Sequence, residues 1–137
     1  MIDPLETVIQ YLKGCGLSTN QIAGKQRYGE AWAIGSAGIS VSLDGGTPNL
    51  DLPVQDVRLE VHCYGASQYE ALSLTWEIVE RGTQAKRVEV ATHNGKALLY
   101  WLLPESSPAT LYDPDLKMDF VLQFYSARVA EQEITYG

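Results

Sequence analysis

The clearest pattern of apolar and polar positions lies between Val57 and Tyr64. Apolar side chains occupy every second position from Val57 to Cys63, and polar side chains occupy the positions between them. This alternation predicts a strand with one buried face and one exposed face. Gly65 then permits a sharp exit from the strand, because glycine has no Cβ to restrict its backbone.

A helix is predicted directly after this strand. Ser67 and Glu70 have the spacing of a capping box, which begins a helix. Gly82 is placed to end the helix, and Glu77 precedes Arg81 by four residues, the favourable orientation for an exposed ion pair. The positions that recur at helical spacing on one side are Ala71, Leu72, Thr75, Ile78 and Val79.

A shorter helix is predicted near the start of the chain. Asp3 can cap this helix, Pro4 suits its first position and Gly14 can end it. Its apolar stripe consists of Leu5, Val8, Ile9 and Leu12. Residues 15–29 mix small and polar side chains with an occasional apolar one, which predicts a turn of helix within a loop.

Further strands are predicted from alternation or from apolar runs. They are a small strand flanked by Trp32 and Ile34, then residues 39–43, 88–91, 97–103 and 120–129, with a hairpin turn at residues 93–96. This order of helices and strands predicts an α+β fold. We expect a mixed, mostly antiparallel sheet of about five strands, with two helices packed on one face.

Three segments are predicted to lie outside these elements. Residues 44–53 contain two glycines and two prolines without periodicity, so they are expected to form a plain loop or a mobile arm. Leu50 and Leu52 stand out there, because an exposed loop has no intrinsic reason to carry two leucines. Residues 104–114 are expected to be a linking segment, and residues 131–137 a flexible polar tail.

Composition narrows the class of protein. The chain has 137 residues, 45% of them hydrophobic, which favours a single domain over residues 1–137 with a core that needs no disulfide or metal. Its net charge of −7, without a cluster of Lys or Arg, argues against nucleic-acid binding. No apolar run approaches the ~20 residues that span a bilayer, and no signal peptide is evident. We expect synthesis in the cytoplasm and no membrane partner.

Candidate catalytic chemistry is sparse. His62 and His93 lack the spacing of a metal-ligand pair. Cys15 and Cys63 are too few and too far apart for a zinc site or a disulfide framework. Neither a dinucleotide-binding nor a phosphate-binding glycine motif is present. We therefore expect no enzyme activity, no cofactor and no metal.

The apolar strands suggest an assembly. Residues 97–103 are apolar on both faces and residues 120–125 nearly so, whereas both predicted helices lie on one face of the sheet. We therefore expect the other face, or an edge strand, to pack on a neighbouring subunit. The alternative is a monomer whose sheet curls on itself or is covered by residues 43–53. The candidate interface residues are Tyr100, Trp101, Leu102, Phe124 and Tyr125 for subunit packing, and Leu50 and Leu52 for docking on a neighbour.

Several short motifs, taken in order, resemble a known family. They are Arg27-Tyr28-Gly29 before a strand at Ile39-x-Val41, Gly45-Gly46, Cys63-Tyr64-Gly65, Ser67-x-x-Glu70-Ala71-x-x-Leu74, and Tyr112-Asp113-Pro114 before the last long strand. Their order and spacing resemble the tail-terminator or tail-completion proteins of long-tailed bacteriophages, over nearly the whole chain.

This resemblance implies a structural virion protein at the head-proximal end of the tail. Such a protein forms a ring, expected to be a hexamer, on the tail tube, stops tail polymerisation and joins the tail to the head. The implied partners are further copies of the chain, the tail tube protein and a head connector or neck protein, while DNA passes through without specific binding. The alternatives are another neck component, or a soluble α+β ligand-binding or enzyme-accessory domain.

Overall fold

The computed structural model describes residues 3–24, 31–48, 54–93 and 95–131. Within them the chain forms two helices and one seven-stranded sheet, so the fold is α+β as predicted, with a larger sheet than expected. The elements are α1 Pro4–Lys13, β1 Ile22–Ala23, β2 Gly38–Pro48, β3 Val54–Gly65, α2 Gln68–Thr83, β4 Val88–Thr92, β5 Gly95–Pro104, β6 Ala109–Asp113 and β7 Met118–Glu131.

The sheet is built from three antiparallel hairpins, β2–β3, β4–β5 and β6–β7. β7 joins them, because it pairs with β3 on one side and with β6 and then β5 on the other. β1 adds a short parallel pairing to Ile39 and Ser40 of β2. The predicted mixed, mostly antiparallel sheet is therefore confirmed.

α1 begins and ends where the sequence predicts. Asp3 is the N-cap and its Oδ1 accepts a hydrogen bond from the Leu5 N–H at 2.9 Å, while Gly14 is the C-cap. The Glu6 carboxylate accepts a hydrogen bond from the backbone N–H of His93 at 2.8 Å, and this bond lowers the pKa of Glu6. The same carboxylate also contacts the imidazole of His93. Glu6 thus ties α1 to the end of β4.

α2 also begins at the predicted cap, where the Ser67 Oγ accepts a hydrogen bond from the Glu70 N–H at 3.2 Å. The sequence predicts that the helix ends at Gly82, but it continues to Thr83. A Cβ at Gly82 would lie 2.5 Å from the carbonyl oxygen of Leu102. Glycine is needed there because it lets α2 lie directly against β5.

α2 makes polar contacts with the first part of the chain. The Tyr11 hydroxyl donates to the carbonyl oxygen of Arg81 at 2.6 Å, and the Ser18 hydroxyl donates to Glu77 at 2.9 Å. The Arg81 side chain donates to Gln84 at 3.3 Å. Glu77 and Arg81 therefore bind these other groups, whereas the sequence predicts an ion pair between the two side chains.

Both helices pack on the same face of the sheet, as predicted. They share one hydrophobic core with the strands. Burial in this core raises the pKa of the Cys63 thiol to about 12, so the thiol stays protonated. The buried core includes Val8 and Leu12 of α1, Leu74 and Ile78 of α2, and Ile39, Val41, Leu59, Val61, Leu99, Leu102, Val121, Tyr125 and Val129 of the sheet.

A buried polar network fixes the segment between β5 and β6. The Tyr125 hydroxyl donates to Gln123 Oε1 at 2.7 Å, and Gln123 Nε2 donates to the carbonyl oxygen of Ser106 at 2.8 Å. The Ser106 hydroxyl accepts from the Phe124 N–H at 3.0 Å, and the Glu105 N–H donates to the Phe124 carbonyl at 2.8 Å. These bonds hold the segment between β5 and β6 against β7, so that both strands pair with the same edge of β7.

Part of the predicted loop at residues 44–53 is strand. β2 continues to Pro48 after a register shift between Leu43 and Gly46, where Gly45 has a φ of +101°. It therefore extends the sheet rather than folding over it. Residues 49–53, which include Leu50 and Leu52, lie outside the described residues. Glu131, predicted to begin the tail, belongs to β7, and the rest of that tail also lies outside.

Two other local predictions are wrong. Residues 31–37 form turns and bends instead of a strand flanked by Trp32 and Ile34. β6 lies in the predicted linking segment. The segment 15–29, for which we expect a loop with a turn of helix, contains β1 at Ile22–Ala23, and its residues 25–29 lie outside the described residues. Neither helix in the described part of the chain is long and apolar enough to cross a membrane.

Candidate functional site: the outer face of the sheet

The sheet face opposite the helices, here called the outer face, has no helix on it within the described residues. Near the start of β2, Trp32 and Leu116 pack against Tyr64 and Met118 and cover one end of this face. The side chains that alternate with the core positions lie on this face. They include Asp56, Arg58, Glu60, His62 and Tyr64 of β3, Phe120, Leu122, Phe124, Ser126 and Arg128 of β7, and Trp101 and Leu103 of β5.

A β-bulge decides which residues of β5 belong to the outer face. Leu99 lies opposite Val129, whereas Trp101 lies opposite Arg128, so Tyr100 is the extra residue. Beyond the bulge the alternation restarts, and Leu102 points towards the helices while Trp101 is on the outer face. The bulge therefore places a large aromatic ring beside β7.

Arg128 and Asp56 hold the Trp101 ring in place. The Arg128 Nε and Nη2 donate to the Asp56 Oδ1 and Oδ2 at 2.6 and 2.9 Å. The Arg128 guanidinium lies 4.3 Å from the centre of the Trp101 ring. The hydrogen bonds from Arg128 lower the pKa of Asp56, and in return they raise the pKa of Arg128. Both groups are therefore charged, and the bidentate pair fixes the guanidinium against the ring.

Arg58 also places its guanidinium over an aromatic ring of the outer face and forms ion pairs with carboxylates. Its guanidinium lies 4.2 Å from the centre of the Phe124 ring. It also forms ion pairs with Asp44 of β2 at 3.4 Å and with Glu105 after β5 at 3.2 Å. Exposed ion pairs add little stability, but these two orient the guanidinium. We call the residues Asp56, Arg58, Trp101, Phe124 and Arg128 the arginine–aromatic surface.

Next to this surface lies a stack of three rings. The ring centre of Phe120 is 5.1 Å from that of Tyr64 and 5.2 Å from that of His62, each with an interplanar angle of 25°. His62 Nε2 donates to Glu60 Oε1 at 2.9 Å, and His62 Nδ1 lies 3.4 Å from the Tyr64 hydroxyl. Both ring nitrogens are thus engaged by neighbours within the sheet.

Two serines of β2 lie across from this histidine and glutamate. Ser40 pairs with His62 and Ser42 with Glu60, and both hydroxyls are buried without a hydrogen-bond partner among the described residues. Leaving a hydroxyl unsatisfied costs about 1–3 kcal/mol. The His62 nitrogens bond to other groups, so no serine–histidine hydrogen bond of a nucleophilic site forms here. The described residues also contain no group of three His, Cys, Asp or Glu placed to hold a metal ion.

The structure separates the predicted interface residues into two sets. Trp101 and Phe124 lie on the outer face and are partly exposed, and Tyr100 is partly exposed at the bulge. Leu102 and Tyr125 are only 1% and 0% exposed and face the helices. These two side chains are core residues, because the bulge and the two-residue period of β7 turn them away from the outer face. Leu50 and Leu52 lie outside the described residues.

The interface residues predicted from the sequence do not include Asp56, Arg58 and Arg128. The sequence does indicate that Arg58 lies on the outer face, because it occupies a polar position of the alternating strand. Arg128 and Asp56 meet only through the β3–β7 register, in which they lie directly opposite each other. That register joins strands far apart in the chain, and local patterning does not specify it.

Comparisons with known proteins add no assignment. Protein-family models give no match to the chain, and curated proteins give no significant match either.

Proposed function

We propose that this protein is a structural subunit of a bacteriophage tail, which forms a ring on the head-proximal end of the tail tube. The ring stops polymerisation of the tube and offers a surface to the head connector. The order and spacing of the sequence motifs support this proposal. The structural observation that carries it is the arginine–aromatic surface, because it is partly exposed and has no helix over it in the described chain.

The composition of this surface suits a protein contact. Arg, Trp and Phe are enriched in the buried centres of protein interfaces, where single residues dominate the binding energy. Here Arg58 and Arg128 are already held by ion pairs and by the rings beneath them. Side chains that are fixed before binding lose less entropy on association. The mechanism is therefore complementarity of surfaces, with no chemical step.

The charge of the chain is compatible with a passage for DNA. A net charge of −7 disfavours binding to the phosphate backbone. In a head-to-tail arrangement each copy uses two different surfaces, and the contacts close into a ring when the rotation between copies closes. We propose a hexameric ring, on the basis of the resemblance, which contacts the tail tube protein on one side and the head connector or neck protein on the other.

The proposal is tested by following tail growth. Purified protein added to growing tail tubes should stop their extension, and native mass spectrometry should detect a hexamer of the 15.1 kDa chain, free or on the tubes. Trp101→Ala should weaken this activity, because it removes the ring under Arg128. The control is Tyr69→Ala, which removes an exposed aromatic of α2 on the other side of the sheet.

The same system separates the alternatives. Removing the gene should give tails of abnormal length. Tails of normal length that fail to join heads would instead point to another neck component. A monomer that neither binds tubes nor limits their length would contradict the proposal, and would direct attention to ligand binding near Ser40, Ser42 and His62.

A further inference from the structure

We infer that neighbouring copies join through their sheets, with β6 of one copy pairing antiparallel with the free edge of β2 in the next; this inference rests on the ring proposed above. The partner is a second copy of this chain. In its described part, the seven-stranded sheet has free edges along β6 and along β2.

The edge formed by β6 is short, ends in Asp113 and lies between Pro108 and Pro114, yet its first four residues carry none of the charges or prolines that keep a monomer's sheet edge from pairing. Within the described residues β6 pairs only with β7. Its first four residues, Ala109 to Tyr112, are all exposed and none of them is charged or proline. Leu111 is 44% exposed and Tyr112 is also exposed, on opposite sides of the strand. Monomeric proteins usually place Lys, Pro or a covering element at such an edge.

The opposite edge of the sheet is also open. β1 pairs with only Ile39 and Ser40 of β2, so β2 from Val41 onward has no strand beyond it in the described chain. Leu43 on this edge is 45% exposed. The edge formed by β4 differs, because α1 packs against it and Glu6 binds the N–H of His93 at its end.

The directions of the two free edges match. β2 is antiparallel to β3, β3 to β7, and β7 to β6, so β2 and β6 run in opposite directions. The registers place β6 level with Gly38 to Ser40 of β2, the part that β1 covers, so β6 reaches the free part of β2 when neighbouring copies are staggered along the strands. A ring whose strands are tilted against its axis provides this stagger, as the closure of a sheet into a barrel does. The strand directions are kept, so β6 of one copy meets β2 of the next as an antiparallel pair, the more stable kind. Each copy then uses two different edges, which is the arrangement required for a closed ring.

Charged substitutions at the two edges test this pairing. Leu111→Lys blocks β6 and Leu43→Lys blocks β2, each at an exposed side chain, so both variants should keep the wild-type circular dichroism spectrum. Every contact in the ring needs both edges, so each variant alone should be monomeric by native mass spectrometry where the wild type is assembled. Ser73→Lys, which adds the same charge on the exposed side of α2, should assemble like the wild type.

Mixing the two variants gives the decisive measurement. Each retains one intact edge, so an equimolar mixture should form heterodimers through a single intact contact, and no rings. Hydrogen exchange should also show that the β6 amides gain protection when the wild type assembles.

The outcomes separate the inference from the proposed function. A wild-type ring that persists unchanged in Leu111→Lys overturns the edge pairing and leaves the ring standing. A mixture that stays monomeric, or a Leu43→Lys variant that forms dimers by itself, shows that β6 and β2 do not pair. A wild type that forms no ring, alone or on tubes, overturns the proposed function and this inference with it.

Discussion

The two faces of the sheet use neighbouring residues of the same strands in opposite ways. On the face towards the helices, Leu59 and Tyr125 are opposite each other and fully buried. One position away, Arg58 and Phe124 contact each other on the outer face and remain partly exposed. The helix side therefore accounts for most of the stability, whereas the outer face holds side chains in fixed positions at the surface. Matched substitutions on the two faces should separate these roles.

The largest difference in the free energy of unfolding is expected between alanine substitutions of two leucines, one on each face. Leu59 is 0% exposed and Leu103 is 44% exposed. Leu59→Ala removes buried methyl groups and leaves a cavity, which should lower the free energy of unfolding by about 2–5 kcal/mol. Leu103→Ala on the outer face should lower it by less than about 1 kcal/mol. Urea denaturation of both variants measures the difference. Equal losses of unfolding free energy would show that the outer face is buried as well.

A smaller contrast is expected between two tyrosines. Burial raises the pKa of Tyr125, whose hydroxyl donates to Gln123 within the network under β5 and β6. Tyr125→Phe leaves the Gln123 oxygen without its donor, which should cost about 1–3 kcal/mol of unfolding free energy. Tyr112→Phe, at an exposed position, should change it by no more than about 0.5 kcal/mol. Thermal melts of the two variants make the comparison, and a Tyr125→Phe variant as stable as the wild type would contradict it.

The smallest effect on the free energy of unfolding is expected at the ion pair between Asp56 and Arg128 on the outer face. This effect should depend on pH. The pKa of Asp56 lies below its ordinary value of 3.8 because Arg128 binds the carboxylate. The ionised form therefore stabilises the folded state at neutral pH, and this contribution is lost as the pH falls below 3.8 and through the lowered pKa. Asp56→Asn should be less stable than the wild type at pH 7 and should equal it in acid.

Denaturation of the wild type and Asp56→Asn across this pH range, at low and high salt, provides the test. Both side chains are partly exposed, so added salt should reduce the difference. A stability difference that is independent of pH would show that the carboxylate charge is not its source.

The parts of the fold that the sequence predicts are those with local signals. The caps at Asp3 and Ser67 and the alternation from Val57 to Cys63 each involve residues close together in the chain. They identify both helices and the central strand. The helices lie on one face because the apolar sides of all these elements must share one core.

The outer face could be predicted only in part. An apolar run such as residues 97–103 does not specify which side chains face the core, and the bulge at Tyr100 reverses the assignment of Leu102. The pairing of Asp56 with Arg128 depends on the register of distant strands. β6 went unpredicted because its five residues lie between prolines and it pairs on one side only.

β7 also has a consequence for how the chain folds. The three hairpins are local and can each form without the others, but β7 follows β3 and β5 in the chain and is the strand that connects them. The β2–β3 and β4–β5 hairpins therefore stay separate until β7 inserts between them. Closing such long loops costs chain entropy before the contacts form, which places this protein among slow-folding β-rich topologies. Until that step is complete, unpaired strands of both hairpins are exposed to other chains.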